Sequence, residues 1–578
     1  CGLGRIPAAL LDVAHKNGVP VTSVAGIPYG NLDGGWRSAL ETLSKVEIDK
    51  AAAYMNYYGY DGFGYNSEYT EIYTRGRVTK AIKDFHVNLN RAMKSLNPIF
   101  ENVWYDGTQE NGSRYFDQGL TDNNKNVFGV EGSEAASLFF NYNWNRQWLL
   151  SQSVEKAKEI HRDPLYLYAG INMQGGEPKT YSTIRWTMLK DYPISIGLWG
   201  AHSQNMFFES RGEKGSDPET KQRTYMLRTE RWFSSGSRNP VNNLEIDNSL
   251  NYNADNFDFA GMSSMMTARS SMSWNLAEEP FISYFNLGNG KFFNYDGERK
   301  NDRPWANVGV QDYLPTWRWW FAKKLLGREP IDVPDDGTGL DAEFVWDDAY
   351  LGGSTVRIFG NTPKEYLHLF KTDFELKAGD KITFRYKVKA GKSDASLVLL
   401  TKDNVNAEND YKVLNVSDET DEDKWVEKTF TVDGNLANKH LALVALKMEN
   451  ANNLNLYLGE FSIVRGTFEK PEMPQVVSTA LLHSAQNGVD GKIIFNMPND
   501  KGPGEPCYNT DVKTSLFKLW AQQGNEKPIL MGVTTSWAGM YYSVPVNLEG
   551  EGTIKFGVSA VSLDMKKESD IAWGTEEH

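Results

Sequence analysis

The sequence predicts an α/β chain in which a (β/α)8 barrel is followed by two β-sandwich domains. Three observations support this fold class. Short apolar runs alternate with helical patterns over the first 326 residues. The composition then changes at two breaks rich in Pro, Gly or acidic residues, at 327–339 and 469–475. After each break the pattern is one of alternating strands and turns, with no convincing helix.

The barrel region contains seven predicted strands, with helical patterns between most of them. These strands lie at 19–25, 60–66, 100–105, 138–142, 165–171, 194–199 and 281–286. The clearest helical stretches are 37–58 and 76–96. A closed barrel of this type needs eight strands, and residues 6–17 are predicted to form a helix that leads into the second one. We therefore expect the first strand to be missing from this sequence, by truncation or by disorder.

Three domains are predicted. The barrel spans 1–326, a carbohydrate-binding-like β-sandwich spans 340–466, and a fibronectin- or immunoglobulin-like β-sandwich spans 475–578. Runs such as KITFRYKVKA in the second domain and TIKFGVSAVS in the third have the composition of partly buried strands. Sandwiches appended to a barrel either bind sugar or brace it, and we favour bracing.

The charge balance excludes some partners. The 578 residues include 61 basic and 75 acidic side chains, a net charge of −14. No long run of Lys or Arg interrupts this balance, which argues against a nucleic acid or an anionic membrane surface and favours an uncharged partner. Aromatic residues make up 13% of the chain. Flat apolar rings with polar rims suit sugar faces, although several aromatic-rich cores would give the same figure.

Cysteine and histidine usage excludes most cofactor classes. The only cysteines are Cys1 and Cys507, too few for a disulfide scaffold, an iron–sulfur cluster or a cysteine-based zinc site. The eight histidines are scattered and form no His-Glu-x-x-His motif. We expect no cofactor and no catalytic metal, while a structural Ca²⁺ held by carboxylates stays open. No apolar run reaches the roughly 18–20 residues of a membrane span.

The strand at 60–66 carries the candidate chemistry. Asn66 and Glu68 are two residues apart, so they share a face at the carboxyl end of the strand, where barrel active sites lie. One carboxylate with an amide partner does not fit the usual pair of glycosidase carboxylates. It fits a substrate-assisted route, in which the 2-acetamido oxygen of the sugar is the nucleophile. Asn66 would orient the acetamide, and Glu68 would be general acid and then general base. An isolated Asn-x-Glu is also typical of an ordinary polar strand end.

The residues around this pair extend the argument. YGYDGFGYNSEY resembles the Asn-x-Glu strand of glycoside hydrolase family 85, the endo-β-N-acetylglucosaminidases that act on N-glycans. Further motifs resemble this family in the same order along residues 8–360: AHKNGVPVTSVAG, VWYDG, FFNYNW, YAGINMQGG, PFISYFNLGNGKFFNYDG, WANVGVQDYLPTWRWW and WDDAYLGGSTVRI. The resemblance implies retaining cleavage of the β-1,4 bond of the di-N-acetylchitobiose core through an oxazoline, with transfer to another sugar as a further possibility.

The resemblance also implies roles for particular residues. Asn66, Glu68 and Tyr105 match the catalytic set, with Tyr105 contacting the reacting acetamide. Trp144 matches a tryptophan beside the cleft, whose indole would stack on a hexose for about 1 kcal/mol. The full set expected to bind substrate is Trp104, Asp106, Phe116, Asn141, Trp144, Asn172, Gln174, Trp199 and Asn286. No metal ligand belongs to this set.

Two departures from the family pattern leave the substrate preference open. Phe116 stands where the family usually has a tryptophan, and Ile171 is followed by NMQGG where the family often has Asp-x-Phe-Gly-Arg-Gly. The chitinase-type motif Asp-Gly-x-Asp-x-Asp-x-Glu aligns at Asp61 and Glu68. Its two middle acids are replaced by Gly64 and Asn66, which excludes an aspartate-assisted version of the reaction.

Two other functions remain open from sequence. One is a non-catalytic glycan-binding protein, which an intact Glu68 argues against. The other is a hexosaminidase that acts on chitin or peptidoglycan. We expect an N-glycan or glycoprotein substrate, no nucleic acid, no membrane span and a monomer. The expected location is secreted, cell-surface or periplasmic in a bacterium, ahead of the cytoplasm.

Overall fold

The computed structural model describes most of the chain. The described residues are 6–26, 30–31, 36–172, 186–189, 191–199, 217–223, 226, 271–316, 319–325, 339–404, 410–411, 423–485, 488–496 and 513–575.

Among the described residues, six parallel strands form the sheet of the barrel region. They are β1 (Thr22–Gly26), β2 (Gly62–Asn66), β3 (Val103–Tyr105), β4 (Ser137–Phe139), β5 (Leu167–Asn172) and β6 (Ser195–Trp199). Each strand pairs in parallel with the next strand of this series along the chain. Parallel strands in sequential order with crossover helices are the arrangement of a (β/α) barrel.

Helices separate most of these strands. The α-helices of the described residues are Ala8–Lys16, Trp36–Lys45, Ile48–Tyr57, Arg77–Lys94, Lys125–Phe128, Gln147–Glu159 and Trp186–Leu189. Short 3-10 helices lie at Pro164–Tyr166, Val308–Val310 and Lys402–Asn404. The predicted helix at 37–58 is two helices in the structure. No helix among the described residues is long and apolar enough to cross a membrane.

The longest of these helices shows how the barrel packs. Arg77–Lys94 buries Val78, Ile82, Leu89 and Met93, whose spacings of four and seven residues place them on one face. The buried Glu71 carboxylate accepts the backbone N–H groups of Val78 at 3.0 Å and Thr79 at 2.7 Å. These contacts satisfy donors that the first turn of a helix leaves without an internal partner.

A second, nine-stranded sheet follows the barrel region. Its three long strands, Thr355–Glu375, His440–Val464 and Lys381–Thr401, are antiparallel neighbours in that order. The shorter strands of this sheet are Met272–Ser273, Phe281–Ser283, Trp320–Ala322, Gly339–Val345, Asp410–Tyr411 and Trp425–Thr431. The large apolar cluster of this region includes Phe384 and Phe461, so the sheet has a core of its own.

The seventh strand predicted for the barrel belongs instead to this second sheet. Phe281–Ser283 pairs antiparallel with His440–Val464, with Phe281 opposite Ile463. The Phe281 ring packs 5.1 Å from that of Phe374 and 6.0 Å from that of Phe461, centre to centre. A short apolar run has the same appearance in a barrel and in a sandwich, so only the pairing distinguishes the two.

The C-terminal region is built from two further sheets. One has three strands, Gln475–Ala485, Gly488–Asn496 and Ala538–Val544. The other has four strands, Thr514–Gln523, Ile529–Thr534, Ile554–Ser562 and Ala572–Trp573. Side chains from both sheets share one apolar cluster, which is the arrangement of a β-sandwich. The boundaries of the three predicted domains stay a prediction.

Three short strand pairs complete the described sheets, and polar contacts connect the regions. The small pairs are Gly30–Asn31 with Tyr69–Thr70, Asn289–Gly290 with Trp305–Ala306, and Phe293–Tyr295 with Glu298–Asn301. The Asn301 Nδ2 donates to the backbone oxygen of Leu530 at 2.7 Å. Thr535 Oγ1 donates to Asp12 Oδ2 at 2.5 Å, which joins the C-terminal sandwich to the first helix.

Candidate active site

A cleft opens at the carboxyl ends of the parallel strands. Asn66, Tyr105, Asn172 and Trp199 are the last residues of β2, β3, β5 and β6, and all four line it. The cleft is open to solvent and has a volume of about 360 Å³. Its lining comprises one carboxylate, five amides and four aromatic rings: Asn66, Glu68, Tyr105, Phe116, Gln118, Asn141, Tyr142, Asn143, Asn172 and Trp199.

Asn66 and Glu68 both face this cleft and contact each other. The Asn66 Nδ2 donates to Glu68 Oε2 at 3.2 Å, and both side chains are half-buried. A carboxylate that is still reached by solvent, with a neutral amide beside it, can both release and accept a proton. The pair has the geometry that two-residue spacing at a strand end predicts.

The backbone around Glu68 is held by the loop that follows β3. Ser67 Oγ donates to the backbone oxygen of Tyr105 at 2.7 Å, and Thr108 Oγ1 donates to the backbone oxygen of Ser67 at 2.9 Å. Gly107 lies directly against this segment, because a Cβ there would come within 2.3 Å of the Ser67 oxygen and 3.3 Å of Glu68 Cγ. These buried contacts fix the position from which Glu68 reaches the cleft.

Tyr105 forms the centre of an aromatic wall. Its ring stacks at 6.3 Å and 21° on Trp199, and meets Phe116 edge-on at 6.1 Å. The Tyr105 hydroxyl oxygen accepts a hydrogen bond from Asn141 Nδ2 at 2.7 Å. Only 8% of Tyr105 is exposed, so its ring is packed and its hydroxyl is oriented.

Three residues of the cleft lining were not predicted from the sequence: Gln118, Tyr142 and Asn143. Their position next to predicted site residues could have indicated them, since Gln118 follows Phe116 by two residues and the other two lie between Asn141 and Trp144. The Asn143 backbone N–H donates to Gln118 Oε1 at 2.8 Å. This contact joins the loops that follow β3 and β4.

Two tryptophans assigned to the cleft lie in the core instead. Trp144 has no exposed surface, and its Nε1 donates to the backbone oxygen of Gly170 at 2.6 Å. Trp104 is 1% exposed, and its Nε1 donates to the backbone oxygen of Thr108 at 3.2 Å. Both rings pack in the apolar cluster of the barrel region. The prediction that Trp104 and Trp144 contact sugar is therefore wrong, because their faces are covered by protein.

Asp106 and Asn286 are also structural rather than cleft residues. Asp106 is 2% exposed and accepts the backbone N–H groups of Asp117 and Gln118 at 3.1 and 2.6 Å. Burial raises the pKa of the Asp106 carboxyl to about 7. Asn286 has no exposed surface, and its Oδ1 accepts the Gly288 backbone N–H at 3.1 Å. Neither side chain reaches the cleft, so the prediction that these two bind substrate is wrong.

Of the other predicted binding residues, Phe116, Asn141, Asn172 and Trp199 line the cleft, and Gln174 lies outside the described residues. Within the described part of the chain, no group of three His, Cys, Asp or Glu side chains is arranged to hold a metal ion.

A parallel (β/α) sheet with amides and aromatic rings at its carboxyl ends has the scaffold and the sugar-compatible cleft of a glycoside hydrolase, with one carboxylate in place of the usual pair. The comparison with known families makes this specific. The sequence model of Glycosyl hydrolase family 85 matches residues 5–293, and the chain belongs to this family.

A solved structure agrees with the fold. The chain is similar to the glycoside hydrolase domain of Endo-D from Streptococcus pneumoniae R6, with a TM-score of 0.75 and 22% identity. The match covers 100% of this chain and 84% of that one. It confirms the predicted fold class of a barrel followed by β-sandwiches.

Curated relatives agree with the family. The chain is 24% identical over 416 residues to cytosolic endo-β-N-acetylglucosaminidase 1 of Arabidopsis thaliana, and 21% identical over 406 residues to the cytosolic endo-β-N-acetylglucosaminidase of Danio rerio. These matches cover 68% and 67% of this chain. They cover 50% and 47% of the relatives, so the chain spans about half their length.

The names of these relatives correct one prediction. They are called cytosolic, as is a second Arabidopsis thaliana protein, 21% identical to this chain, so the expected secreted, cell-surface or periplasmic location is wrong. Net charge and scarce cysteine are compatible with either compartment.

Proposed function

We propose that this chain is an endo-β-N-acetylglucosaminidase that cleaves the β-1,4 bond of the di-N-acetylchitobiose core of N-glycans. The observation that carries this proposal is the contact between Asn66 and Glu68 in a cleft with no other carboxylate in its described lining. Membership of the family and the names of the relatives support it. The same names support a cytosolic site of action.

The cleft is suited to substrate-assisted catalysis with retention. Glu68, protonated, gives its proton to the glycosidic oxygen as the bond from C1 to that oxygen breaks. The acetamide oxygen of the sugar forms the new bond to C1, which yields an oxazoline that is still protonated on nitrogen and carries the positive charge. Asn66 orients the acetamide and stabilises the charge that develops on it, and Tyr105 holds the acetamide by a hydrogen bond. Glu68, now a carboxylate, takes a proton from water as the water oxygen attacks C1 and opens the oxazoline ring.

The single carboxylate favours this route over direct attack by the protein. A protein nucleophile would need a second carboxylate about 5 Å from the first across the scissile bond. Among the described cleft residues Glu68 is the only acid. The neighbouring Asp106 carboxyl is buried behind the cleft wall and holds two backbone N–H groups.

The oxazoline also makes sugar transfer part of the proposal. Any hydroxyl that reaches C1 from the open side of the cleft can replace water in the second step. The lining amides offer hydrogen bonds to such an acceptor without adding a charge.

Mass spectrometry of products from a panel of N-glycopeptides tests the proposed function. Cleavage that leaves one GlcNAc on the peptide is the expected result. Release of single sugars from chitin or peptidoglycan fragments, with the N-glycopeptides untouched, would assign the cleft to a hexosaminidase. Binding of the glycopeptides without any product would identify a glycan-binding protein.

A further inference from the structure

We infer that Gln118 and Asn141 are positioning residues that make the Tyr105 hydroxyl a hydrogen-bond donor toward the acetamide of the substrate. This inference rests on the proposed function and deepens it. Three hydrogen bonds in series carry it, from a backbone N–H through two side-chain amides to the phenol.

Which atom donates in each of these hydrogen bonds is set at the start of the series, by a backbone N–H that can only donate. The Asn143 backbone N–H points at Gln118 Oε1 at 2.8 Å. The oxygen of the Gln118 amide must therefore face Asn143, which turns its Nε2 toward Asn141. The Gln118 Nε2 lies 3.3 Å from Asn141 Oδ1 and donates to it.

A second backbone group sets the direction of the next link. The Tyr142 backbone N–H donates to Asn141 Oδ1 at 2.7 Å. With two donors aimed at its oxygen, the Asn141 amide can only present Nδ2 to the Tyr105 hydroxyl, at 2.7 Å. The Tyr105 oxygen is thus an acceptor on this side, so its hydrogen is directed away from Asn141.

The backbone of Gln118 has a strained conformation. Its φ is +63°, in the left-handed region that a glycine enters without penalty and other residues seldom adopt. The Asp106 carboxylate holds this turn by accepting the N–H groups of Asp117 and Gln118. A side chain retained in a strained turn at a cleft is a sign of a functional constraint.

The consequence is chemical. The Tyr105 hydroxyl, whose oxygen accepts from Asn141, can donate its hydrogen to the acetamide carbonyl that the proposed reaction brings to Tyr105. Holding that carbonyl limits the rotation of the acetamide, which keeps its oxygen aimed at C1. The positioning residues therefore act on the reaction step more than on binding.

Kinetics on an N-glycopeptide test the inference with three variants. We expect Gln118→Ala to lower kcat about tenfold and to leave KM within about twofold. Gln118→Gly should lower kcat equally while folding at least as stably, because glycine relieves the backbone strain. Asn141→Asp should lower kcat as well, since a carboxylate accepts the Tyr105 hydrogen and withdraws it from the substrate. Gln152→Ala, at an exposed site on helix Gln147–Glu159, is the matched control.

A double-mutant cycle separates positioning from general damage. In a Tyr105→Phe background, Gln118→Ala should change kcat by less than about twofold, because the hydroxyl through which it acts is gone. An equal loss in both backgrounds would overturn the inference. So would a fully active Gln118→Gly variant.

A measurement that needs no turnover keeps the inference separate from the proposed function. Fluorine NMR of 3-fluorotyrosine placed at position 105 reports the environment of the hydroxyl directly. We expect Asn141→Asp and Gln118→Ala to shift this resonance, and Gln152→Ala to leave it unchanged. A resonance that ignores Gln118→Ala overturns the inference even if the protein cleaves N-glycans. Failure of the wild-type protein to cleave N-glycopeptides would overturn the proposed function alone.

Discussion

The cleft and the junction around helix Ala8–Lys16 use polar groups in opposite ways. The cleft holds one carboxylate, Glu68, among neutral amides. At the junction, Lys16 lies among the carboxylates of Asp12, Glu279 and Asp312. An amide keeps its donor and its acceptor at every pH, whereas each junction group can lose or gain a proton. The cleft can therefore preserve the direction of its hydrogen bonds, while the stability of the junction depends on pH.

The junction joins the barrel to the sandwich regions through these charges. The Lys16 Nζ donates to the backbone oxygen of Gln311 at 2.8 Å. Burial lowers the pKa of the Lys16 ammonium, and the neighbouring carboxylates oppose that shift. Burial raises the pKa values of Asp12 and Asp312 to about 6, against the opposing charge of Lys16. Substitutions in each region should consequently separate turnover from stability.

The largest effect on turnover is expected at the one carboxylate of the cleft. Glu68→Gln should lower kcat on a high-mannose glycopeptide by about 10³-fold, because the amide neither gives nor takes the proton. Binding of the glycopeptide, measured by calorimetry, should stay within severalfold of wild type. Glu155→Gln, at an exposed position on helix Gln147–Glu159, is the control. Near-normal turnover by Glu68→Gln would contradict the assignment of the acid.

The amide beside it should have the second largest effect. Asn66→Ala should lower hydrolysis about 100-fold, since the acetamide is no longer oriented for attack. Supplying a preformed sugar oxazoline bypasses the step that this variant impairs, so transfer from the oxazoline should recover part of the lost rate. Product formation from the oxazoline is followed by chromatography. Equal impairment with both substrates would argue against the orienting role.

The junction should respond in stability and not in turnover. Lys16→Met leaves the neighbouring carboxylates without their cation, and we expect the free energy of unfolding to fall by about 2 kcal/mol at neutral pH. Chemical denaturation measures this change, and kcat should match wild type. Lys158→Met, at an exposed site, should change neither quantity. A Lys16→Met variant that unfolds like wild type would show that the junction does not depend on this charge.

The smallest effect expected is the pH dependence of stability. The Asp312 pKa is raised to about 6 from its ordinary 3.8, so between those pH values the folded chain holds a proton that the unfolded chain has lost. This group therefore adds stability as the pH falls from about 6 toward 4, and the gain disappears as the pH rises.

Asp312→Asn removes this titration. We expect the variant to lose part of the wild-type gain in unfolding free energy between pH 7 and 4, up to about 2 kcal/mol. Denaturation curves at intervals of pH give the slope directly. Asp191→Asn, at an exposed carboxylate, serves as the control. Identical slopes in wild type and Asp312→Asn would contradict the raised pKa.

Local spacing predicted the part of the site that depends on one strand. Asn66 and Glu68 face the same cleft because side chains two apart in a strand share a face. The structure places the aromatic rings predicted for the site in two different environments. Trp199 ends a strand and lines the cleft, while Trp144, in a motif that looked equally suitable, is covered by the core. An indole suits a core and a sugar equally well, so composition alone does not separate the two.

Contacts between segments far apart in the chain could not be predicted from local sequence patterns. Phe281–Ser283 has the apolar character of a barrel strand, yet it pairs with His440–Val464 across a large separation in sequence. Gln118 reaches the cleft because the Asp106 carboxylate holds its turn, which is a long-range consequence of where β3 ends.

Residue type and local spacing predicted the alternation of strands and helices, the two breaks in composition, and the Asn66 and Glu68 pair. These features follow from periodicity and from residue type, which are local properties. The tertiary structure alone decided which rings face the cleft, which strand joins which sheet, and how Gln118, Asn141 and Tyr105 align. Each of these depends on packing between segments far apart in the chain, where burial and pairing select among placements that the local pattern leaves equal.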